Sequence, residues 1–307
     1  MQEDLVSVIM NCHNSDKYLK ESIKSVLSQT YKNWELIFWD NNSTDNSANI
    51  FKSYKDKRFK YFYSNIFTTL GEARNLAIKN SKGKYIAFLD CDDIWYPNKL
   101  CKQIPLFSDL EVGIVISNTK YFSDEKYHKV LYGKNKPKQG YVFDKLLESY
   151  FISLETVIIK RSFLEKLDEY FDNRFEVIEE FDLLVRLSQY CKLAYVDEVL
   201  GKWRIHKNSL TSTRPDLFPL ETRLFIDKLS KKIPKLNIRY KKSILKLILN
   251  IENQEFQLLW RDGKHFEARR KIRKYILCSK KLMLIYLLSY FIPYRVFEYI
   301  NKKKLNY

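Results

Sequence analysis

Residues 82–95 read KGKYIAFLDCDDIW, a strand-like run that stops at a group of carboxylates. The part YIAFL (85–89) is apolar and aromatic throughout, as expected of a strand that is covered on both faces of its sheet. Asp90, Asp92 and Asp93 follow within four residues, and burying like charges without partners is costly or raises their pKa values. The stretch therefore predicts an α/β sheet with a charged ligand site at the end of this strand.

Short apolar runs alternate with helical patterns over the first 110 residues. The strand-length runs are VSVIM (6–10), ELIFW (35–39), FKYFY (59–63) and YIAFL (85–89). A helix is predicted over residues 16–30, where the apolar residues share one face, and a shorter helix over 71–83 that ends at Gly83. Elements in this order form a mostly parallel, Rossmann-like sheet flanked by helices.

Polar segments follow three of these strands, namely NCHN (11–14), DNNSTD (40–45) and DCDD (90–93). Open sheets bind ligands beyond the carboxyl ends of their strands, so these segments are where we expect the ligand. The carboxylates of 90–93 suit Mg²⁺ or Mn²⁺ together with substrate phosphates, although acidic residues after a strand also cap helices or lie in solvated turns. Asp40 either accepts hydrogen bonds from a base or ribose or forms an ordinary Asx turn.

Two nucleotide-binding motifs are missing from the sequence. It contains neither G-x-G-x-x-G nor G-x-x-x-x-G-K-[ST]. It therefore supports neither a Rossmann dehydrogenase nor a P-loop enzyme.

The second half of the chain is predicted to complete the sheet domain and then to become helical. Strands are predicted at 113–117 and 155–160, a helix at 179–190, basic helical segments near 219–232, 240–260 and 264–278, and a last segment at 282–300. We expect a catalytic domain over residues 1–212 and a helical, basic region over 213–307.

The net charge of +17 is concentrated in the last third of the chain. Residues 211–307 contain 23 Lys and Arg against 8 Asp and Glu, whereas residues 1–210 are close to neutral. Nucleic-acid binding is therefore one alternative function. It has little support, because the basic region has no zinc-finger spacing, no RNP-like aromatic motif and no recognisable helix-turn-helix.

Five segments resemble, in order and spacing, motifs of the family 2 glycosyltransferases, which have the GT-A fold. They are VSVIMNCHN (6–14), ELIFWDNNSTDNS (35–47), LGEARNLAIKNSKGKYIAFLDCDDIW (70–95), IEEFDLLVRL (178–187) and KWRIHKNSLT (202–211). The resemblance covers about residues 5–211 and implies a glycosyltransferase that uses a nucleoside diphosphate sugar, most often a UDP-sugar.

The resemblance implies a donor-binding role for each residue that matches a family motif. Asn11, His13 and Asp40 would hold the uridine, and Asp90 would face the ribose or the sugar. Arg74 would reach the diphosphate, the sugar or the nearby carboxylates. His13 stands where the family usually has an aromatic residue.

The resemblance also implies a metal ion and a general base. Asp92 and His206 would bind Mn²⁺ or Mg²⁺, which would stabilise the departing UDP. Glu180 aligns with the catalytic base of the family, which implies inversion at the anomeric carbon. The family usually has Asp at this position, so Glu179 or Asp182 could take the role instead.

The apolar segment LMLIYLLSYFI (282–292) precedes Pro293 and is too short for a hydrocarbon core that needs about 20 residues. Lysines lie before it at 280 and 281 and after it at 302–304, which favours a helix on an anionic membrane surface. Alternatively, a carboxy-terminal helix pair packs on the catalytic domain or on another subunit of a homo-oligomer.

The expected setting is the cytoplasm, with the protein peripheral on the inner face of the cytoplasmic membrane. Five scattered cysteines without C-x-x-C and an acidic amino terminus favour this setting over export. The expected partners are a UDP-sugar and a lipid-linked or other glycan acceptor. A catalytically inactive nucleotide-sugar-binding protein is a further alternative, raised by Asn41 and Glu180, which replace family acidic residues.

Overall fold

The structure is a computed structural model that describes residues 3–123, 127–207 and 209–304. Asn208 of the fifth motif lies outside the described residues. The same is true of the side chains of the lysines at 302–304, which the sequence analysis assigned to a membrane-surface helix.

The described strands form a single mixed sheet. They are β1 (Val6–Cys12), β2 (Trp34–Asn41), β3 (Phe59–Ser64), β4 (Tyr85–Phe88), β5 (Ile94–Trp95), β6 (Val112–Phe122), β7 (Tyr127–Val130), β8 (Ile158–Lys160) and β9 (Lys192–Arg204). Their order is β3-β2-β1-β4-β8-β6-β9-β5, with β7 paired to β6 outside this path. The first four strands are parallel to one another, whereas β8 is antiparallel to both of its neighbours.

Helices flank the sheet in the first part of the chain and follow one another in the last part. They are α1 (Asp16–Leu27), α2 (Ser47–Ser53), α3 (Leu70–Lys79), α4 (Lys99–Gln103), α5 (Phe143–Glu148), α6 (Arg161–Leu164), α7 (Glu179–Leu187), α8 (Leu210–Thr213), α9 (Leu217–Lys232), α10 (Leu236–Arg239), α11 (Lys241–Arg261), α12 (His265–Ile272), α13 (Lys280–Phe291) and α14 (Tyr294–Lys304).

The buried strands explain the unbroken apolar runs of the sequence. All eight residues of β2 and all four of β4 are buried, because helices cover both faces of the parallel half of the sheet. On β1 the even-numbered residues Val6, Val8 and Met10 join a core with Leu19 and Ile23 of α1. The predicted α/β sheet is confirmed.

Two local predictions needed correction. The helix predicted to end at Gly83 ends earlier, with α3 stopping at Lys79. Gly83 is required for another reason, since a Cβ atom there would lie 2.5 Å from the backbone nitrogen of Ser7 on β1. The sequence pattern also missed the short helix α2, which buries Ile50 and Phe51.

Contacts divide the chain into two compact units. The first comprises Met1–Phe143 and Phe151–His206, and the second comprises Asp144–Tyr150 and Lys207–Tyr307. The second unit has its own apolar core, which includes Phe256, Trp260 and Leu282. Within the described residues, no helix combines the length and the apolar character needed to cross a membrane.

Candidate active site

The three polar segments singled out in the sequence lie at one edge of the sheet. Strands β2, β1 and β4 are neighbours and run parallel, and in the β1–β2 register Cys12 is opposite Asp40. The carboxyl ends of the three strands therefore point the same way. Residues 11–14, 40–45 and 90–93 lie at or just after these ends and form the edge at which such a sheet binds ligands.

Arg74 of α3 connects two of the predicted site segments. Its guanidinium is buried and donates hydrogen bonds to Glu179 Oε1 at 2.5 Å and to Asp90 Oδ1 at 3.1 Å. Burial alone would lower the pKa of Arg74, but the charges of Asp90 and Glu179 raise it overall. Of the three contacts expected for Arg74, the structure shows the one with the nearby carboxylates.

Three carboxylates at the start of α7 have different partners. Asp182 is fully buried and accepts hydrogen bonds through both oxygens from Arg186, one turn further along the helix. Glu179 accepts from Arg74. Glu180 is half-buried, and burial together with the negative charge of Glu179 raises its pKa to about 8.

These partners distinguish the possible general bases. The carboxylates of Glu179 and Asp182 are engaged in buried ion pairs, which hold them in place. A pKa near neutrality suits a group that has to accept and then release a proton at physiological pH. The raised pKa of Glu180 and the ion pairs of the other two carboxylates therefore favour Glu180 among the three.

The carboxylates of Asp90, Asp92 and Asp93 also have different hydrogen-bond partners. Asp90 accepts from Arg74, and Asp92 lies 2.7 Å from His206 through its Oδ2 and the histidine Nε2. Asp93 is buried and accepts from the backbone N–H of Arg204 at 2.8 Å. Burial and the charge of Asp92 raise the pKa of Asp93. This separation allows three like charges to follow one strand.

The buried Arg204 holds this loop against the end of β9. Its Nε donates to the backbone oxygen of Asp92 at 2.9 Å, and its Nη2 donates to Glu21 at 2.8 Å. The guanidinium also lies over the ring of Tyr18, 4.0 Å from the centroid. The sequence motif contains Arg204, but its role in positioning Asp92 was missed.

A divalent cation fits the pair formed by Asp92 and His206. Among the described residues, no group of three or more His, Cys, Asp or Glu side chains could hold a metal ion by itself. Mg²⁺ and Mn²⁺ sites in transferases commonly use one or two protein ligands and complete the shell with water and substrate phosphates. Adjacent octahedral ligands lie about 3 Å apart, close to the 2.7 Å between the two side chains.

The opposite side of the site carries exposed aromatic and amide groups. His13 Nδ1 lies 2.9 Å from the backbone oxygen of Asn41, and the His13 ring packs on Phe67 with centroids 4.4 Å apart. Phe67 is 58% exposed. Nearby, the side-chain nitrogen of Asn11 is buried and has no hydrogen-bond partner among the described residues. These groups offer a stacking surface and a hydrogen-bond donor.

Asp40 and Asn41 are more deeply placed than the sequence suggested. Asp40 is fully buried, and its two oxygens accept from the Tyr61 hydroxyl at 2.7 Å and from the Ser43 N–H at 2.9 Å. A contact between Asp40 and a base therefore has to use the remaining lone pairs. Asn41 uses both ends of its amide to hold Thr68, which positions the loop that carries Phe67.

The backbone of the turn agrees with its sequence. Asn42 has a positive φ of 63°, in the left-handed region that Asn tolerates well.

Phe67 was missed in the sequence analysis. It could have been noticed there, because it is an aromatic residue within the polar loop between β3 and α3.

Comparison with known proteins gives a consistent result. Residues 7–168 match the family model described as Glycosyl transferase family 2. A UDP-Glc:alpha-D-GlcNAc-diphosphoundecaprenol beta-1,3-glucosyltransferase of Escherichia coli, WfgD, is 30% identical over 216 residues, covering 70% of this chain and 82% of the relative. An uncharacterized glycosyltransferase of Rickettsia typhi is 36% identical over 215 residues, covering 68% of this chain but 66% of the relative, just under two thirds of its length.

Solved structures show the same fold at low sequence identity. TarS 1–349 of S. aureus in complex with UDP-GlcNAc has a TM-score of 0.67 and 18% identity, covering 90% of this chain and 82% of that one. The mannosyltransferase PcManGT of Pyrobaculum calidifontis, in complex with GDP-Man and Mn²⁺, has a TM-score of 0.63 and 16% identity, covering 95% and 82%.

Proposed function

Because this chain belongs to glycosyl transferase family 2, we propose that it is a metal-dependent, inverting glycosyltransferase that transfers a hexose or N-acetylhexosamine from a UDP-sugar to a glycan hydroxyl. The observation that carries the proposal is the convergence of Arg74, Asp90, Asp92, Glu180 and His206 from four segments of the chain at one sheet edge. Each of these residues has a distinct chemical role available to it.

The donor would bind across the ends of β1, β2 and β4. His13 and Phe67 supply a stacking surface for the uracil ring, and the unpartnered amide nitrogen of Asn11 can donate to a uracil or ribose oxygen. Asp40 lies below this surface. Asp90 is held by Arg74 through one oxygen and would accept a hydrogen bond from a ribose or sugar hydroxyl. The UDP-GlcNAc complex of TarS supports a UDP-sugar as donor.

Asp92 and His206 would hold Mn²⁺ or Mg²⁺, which supplies positive charge next to the two phosphates. The Mn²⁺ in the PcManGT complex supports this assignment. Arg204 would keep Asp92 in position through the backbone of the loop. Asp93 has a supporting role, since its carboxylate is used to join the loop to β9.

The transfer needs one proton acceptor. The acceptor oxygen forms a bond to the anomeric carbon, the bond from that carbon to the phosphate oxygen breaks, and its electron pair leaves with UDP. Glu180 would take the proton from the attacking hydroxyl. Arg74 would hold Glu179 and Asp90 beside it, and burial together with the negative charge of Glu179 favours the protonated form of Glu180.

The acceptor is proposed to be a lipid-linked glycan. The relative WfgD acts on a sugar joined to diphosphoundecaprenol, and the basic second unit fits an enzyme that works at an anionic membrane surface. We therefore propose that the protein is cytoplasmic and peripheral on the inner face of the cytoplasmic membrane. The alternative acceptor is a glycan that is not linked to a lipid.

A UDP-release assay tests the reaction, the donor and the metal together. The full chain is incubated with UDP-glucose, UDP-galactose or UDP-N-acetylhexosamines and a diphospholipid-linked acceptor, with Mn²⁺, Mg²⁺ or EDTA. We expect acceptor-dependent UDP release that EDTA abolishes and that Asp92→Ala reduces by at least a hundredfold. The exposed Asp109, which pairs with Lys192 away from the site, provides the matched control Asp109→Ala. Turnover in EDTA at the rate seen with metal would overturn the metal assignment.

A further inference from the structure

Helix α13 (Lys280–Phe291) is apolar around its circumference, but only one side of it is packed. Leu282, Ile285 and Ser289 are buried in the core of the second unit. Five other side chains are exposed: Met283 by 41%, Leu284 by 57%, Leu287 by 49%, Tyr290 by 52% and Phe291 by 82%. We call these five residues the exposed stripe.

The exposed stripe is continuous along the helix. At 3.6 residues per turn, its five positions fall within a sector of roughly 120°, and the three buried positions lie on the opposite side. The stripe extends over a little more than two turns, from Met283 to Phe291. A continuous apolar face of this kind differs from the scattered exposed residues that every protein surface has.

The packing of α13 keeps the stripe turned outward. Arg269 of α12 donates a hydrogen bond to the backbone oxygen of Ser289 at 2.7 Å, and its guanidinium lies over the Tyr290 ring, 3.9 Å from the centroid. Leu282 and Ile285 pack in the same core as Trp260. A rotation of α13 that buried the stripe would expose these core residues, so the stripe belongs to the folded surface.

The surroundings of the stripe are strongly basic. Residues 268–297 contain eight Lys and Arg and no Asp or Glu, and of these eight cations Lys271 pairs with Glu255 of α11. Lys280 and Lys281 begin α13, Arg273 and Lys274 lie in the preceding turn, and all four are exposed. The adjacent Leu277 is 90% exposed. An apolar face among cations matches the interface of a bilayer, where acyl chains lie beneath anionic headgroups.

We infer that the exposed stripe inserts into the headgroup region of an anionic bilayer, with the surrounding Lys and Arg side chains on lipid phosphates. Twelve helical residues span about 18 Å, too short to cross the hydrocarbon core, so α13 lies in the membrane plane. This inference rests on the proposed function in one respect, namely that the protein works at a membrane. What it adds is the surface of the protein that contacts the lipids.

A second copy of the chain fits this surface less well. A two-fold dimer places the same patch on both sides, so the exposed cations around each stripe, which include Lys280 and Lys281, would face identical cations. Lipid phosphates supply the opposite charge instead. A polynucleotide also supplies phosphates, but it leaves the apolar residues of the stripe without a partner.

Vesicle sedimentation of the full chain tests the inference. The vesicles are equimolar phosphatidylglycerol and phosphatidylcholine, or phosphatidylcholine alone, in about 0.1 M salt. We expect binding to the anionic vesicles only. The variant Leu284→Gln/Leu287→Gln/Phe291→Gln should bind at least tenfold more weakly. The control is Ile238→Gln, since Ile238 is 73% exposed and lies outside α13.

Charge is tested separately with Lys280→Gln/Lys281→Gln. Each cation near an anionic surface contributes about 1 kcal/mol, so binding should weaken about fivefold for each lysine removed. Binding of UDP, measured by calorimetry, should be unchanged in every variant, which separates this inference from the proposed reaction. A wild-type chain that stays in the supernatant overturns the inference. The inference is also overturned if the stripe variant binds vesicles as tightly as the wild type. It is overturned as well if the wild type is a dimer and the stripe variant is a monomer.

Discussion

The substitution Glu180→Gln separates catalysis from stability at one side chain. Glutamine has nearly the same shape as glutamate but cannot take a proton from the acceptor hydroxyl. A positioned general base contributes roughly 10²- to 10⁴-fold to the rate, so we expect kcat to fall by that factor. The matched control is Asp182→Asn, two residues further along α7, where the carboxylate is buried against Arg186.

The effect on stability follows from the raised pKa of Glu180. Between its ordinary value of 4.5 and about 8, the unfolded chain ionises Glu180 while the folded chain keeps it protonated, so the folded state binds more protons and loses stability as pH rises. Below pH 4.5 the residue has no such effect, and above pH 8 the effect is complete. The difference corresponds to at most about 5 kcal/mol, and partial exposure of Glu180 reduces it to a few kcal/mol.

The two substitutions should therefore change stability in opposite directions. Glu180→Gln should raise the free energy of unfolding at pH 9 relative to the wild type and leave it nearly unchanged at pH 4.5. Asp182→Asn should lower it by about 3 kcal/mol at neutral pH, because it leaves the buried charge of Arg186 uncompensated. Its kcat should stay within about tenfold of the wild type if Asp182 has no proton to transfer.

Urea unfolding at pH 4.5, 7 and 9 and UDP release at saturating donor measure these quantities. The wild-type rate should rise with pH toward a plateau above about 8, while Glu180→Gln should lose this dependence. A Glu180→Gln enzyme within tenfold of the wild-type kcat would refute the base assignment. Equal free energies of unfolding of the wild type and Glu180→Gln at pH 9 would refute the electrostatic reasoning, whatever the rates show.

Three further predictions concern the metal pair, the stacking surface and a close contact in the fold. His206→Ala should raise the Mn²⁺ concentration for half-maximal UDP release at least tenfold, since it removes one of two proposed protein ligands; an unchanged Mn²⁺ titration would contradict this. Phe67→Ala should raise KM for the UDP-sugar about fivefold with little change in kcat, and an unaltered KM would exclude stacking on this ring. Gly83→Ala should lower the free energy of unfolding by about 1–3 kcal/mol in urea, because the new methyl would lie 2.5 Å from the Ser7 nitrogen; wild-type stability would show that the strand yields at little cost.

The parallel half of the sheet could be predicted because burial on both faces leaves a clear pattern. The runs that begin β1, β2 and β4 are apolar for the physical reason that helices cover them, whereas the edge strand β3 is only partly buried. The helix α2 was missed because it has only seven residues, too few to establish a helical period. Gly83 was misread because a glycine after a helix suggests a cap, whereas the close approach of Ser7 is a contact with a distant strand.

The α/β class, the order of the motifs and the positions at which charged residues follow the strands can all be deduced from the amino-acid sequence. These properties depend on local periodicity and on where each apolar run stops, and both are written along the chain. Which carboxylate pairs with which cation depends on how the chain folds. Arg74 reaches Glu179 across 105 positions and His206 reaches Asp92 across 114, and no local pattern contains those distances. The role of a carboxylate depends on its burial and on the charges near it, so identical side chains within a few residues of one another differ in chemistry once the chain has folded.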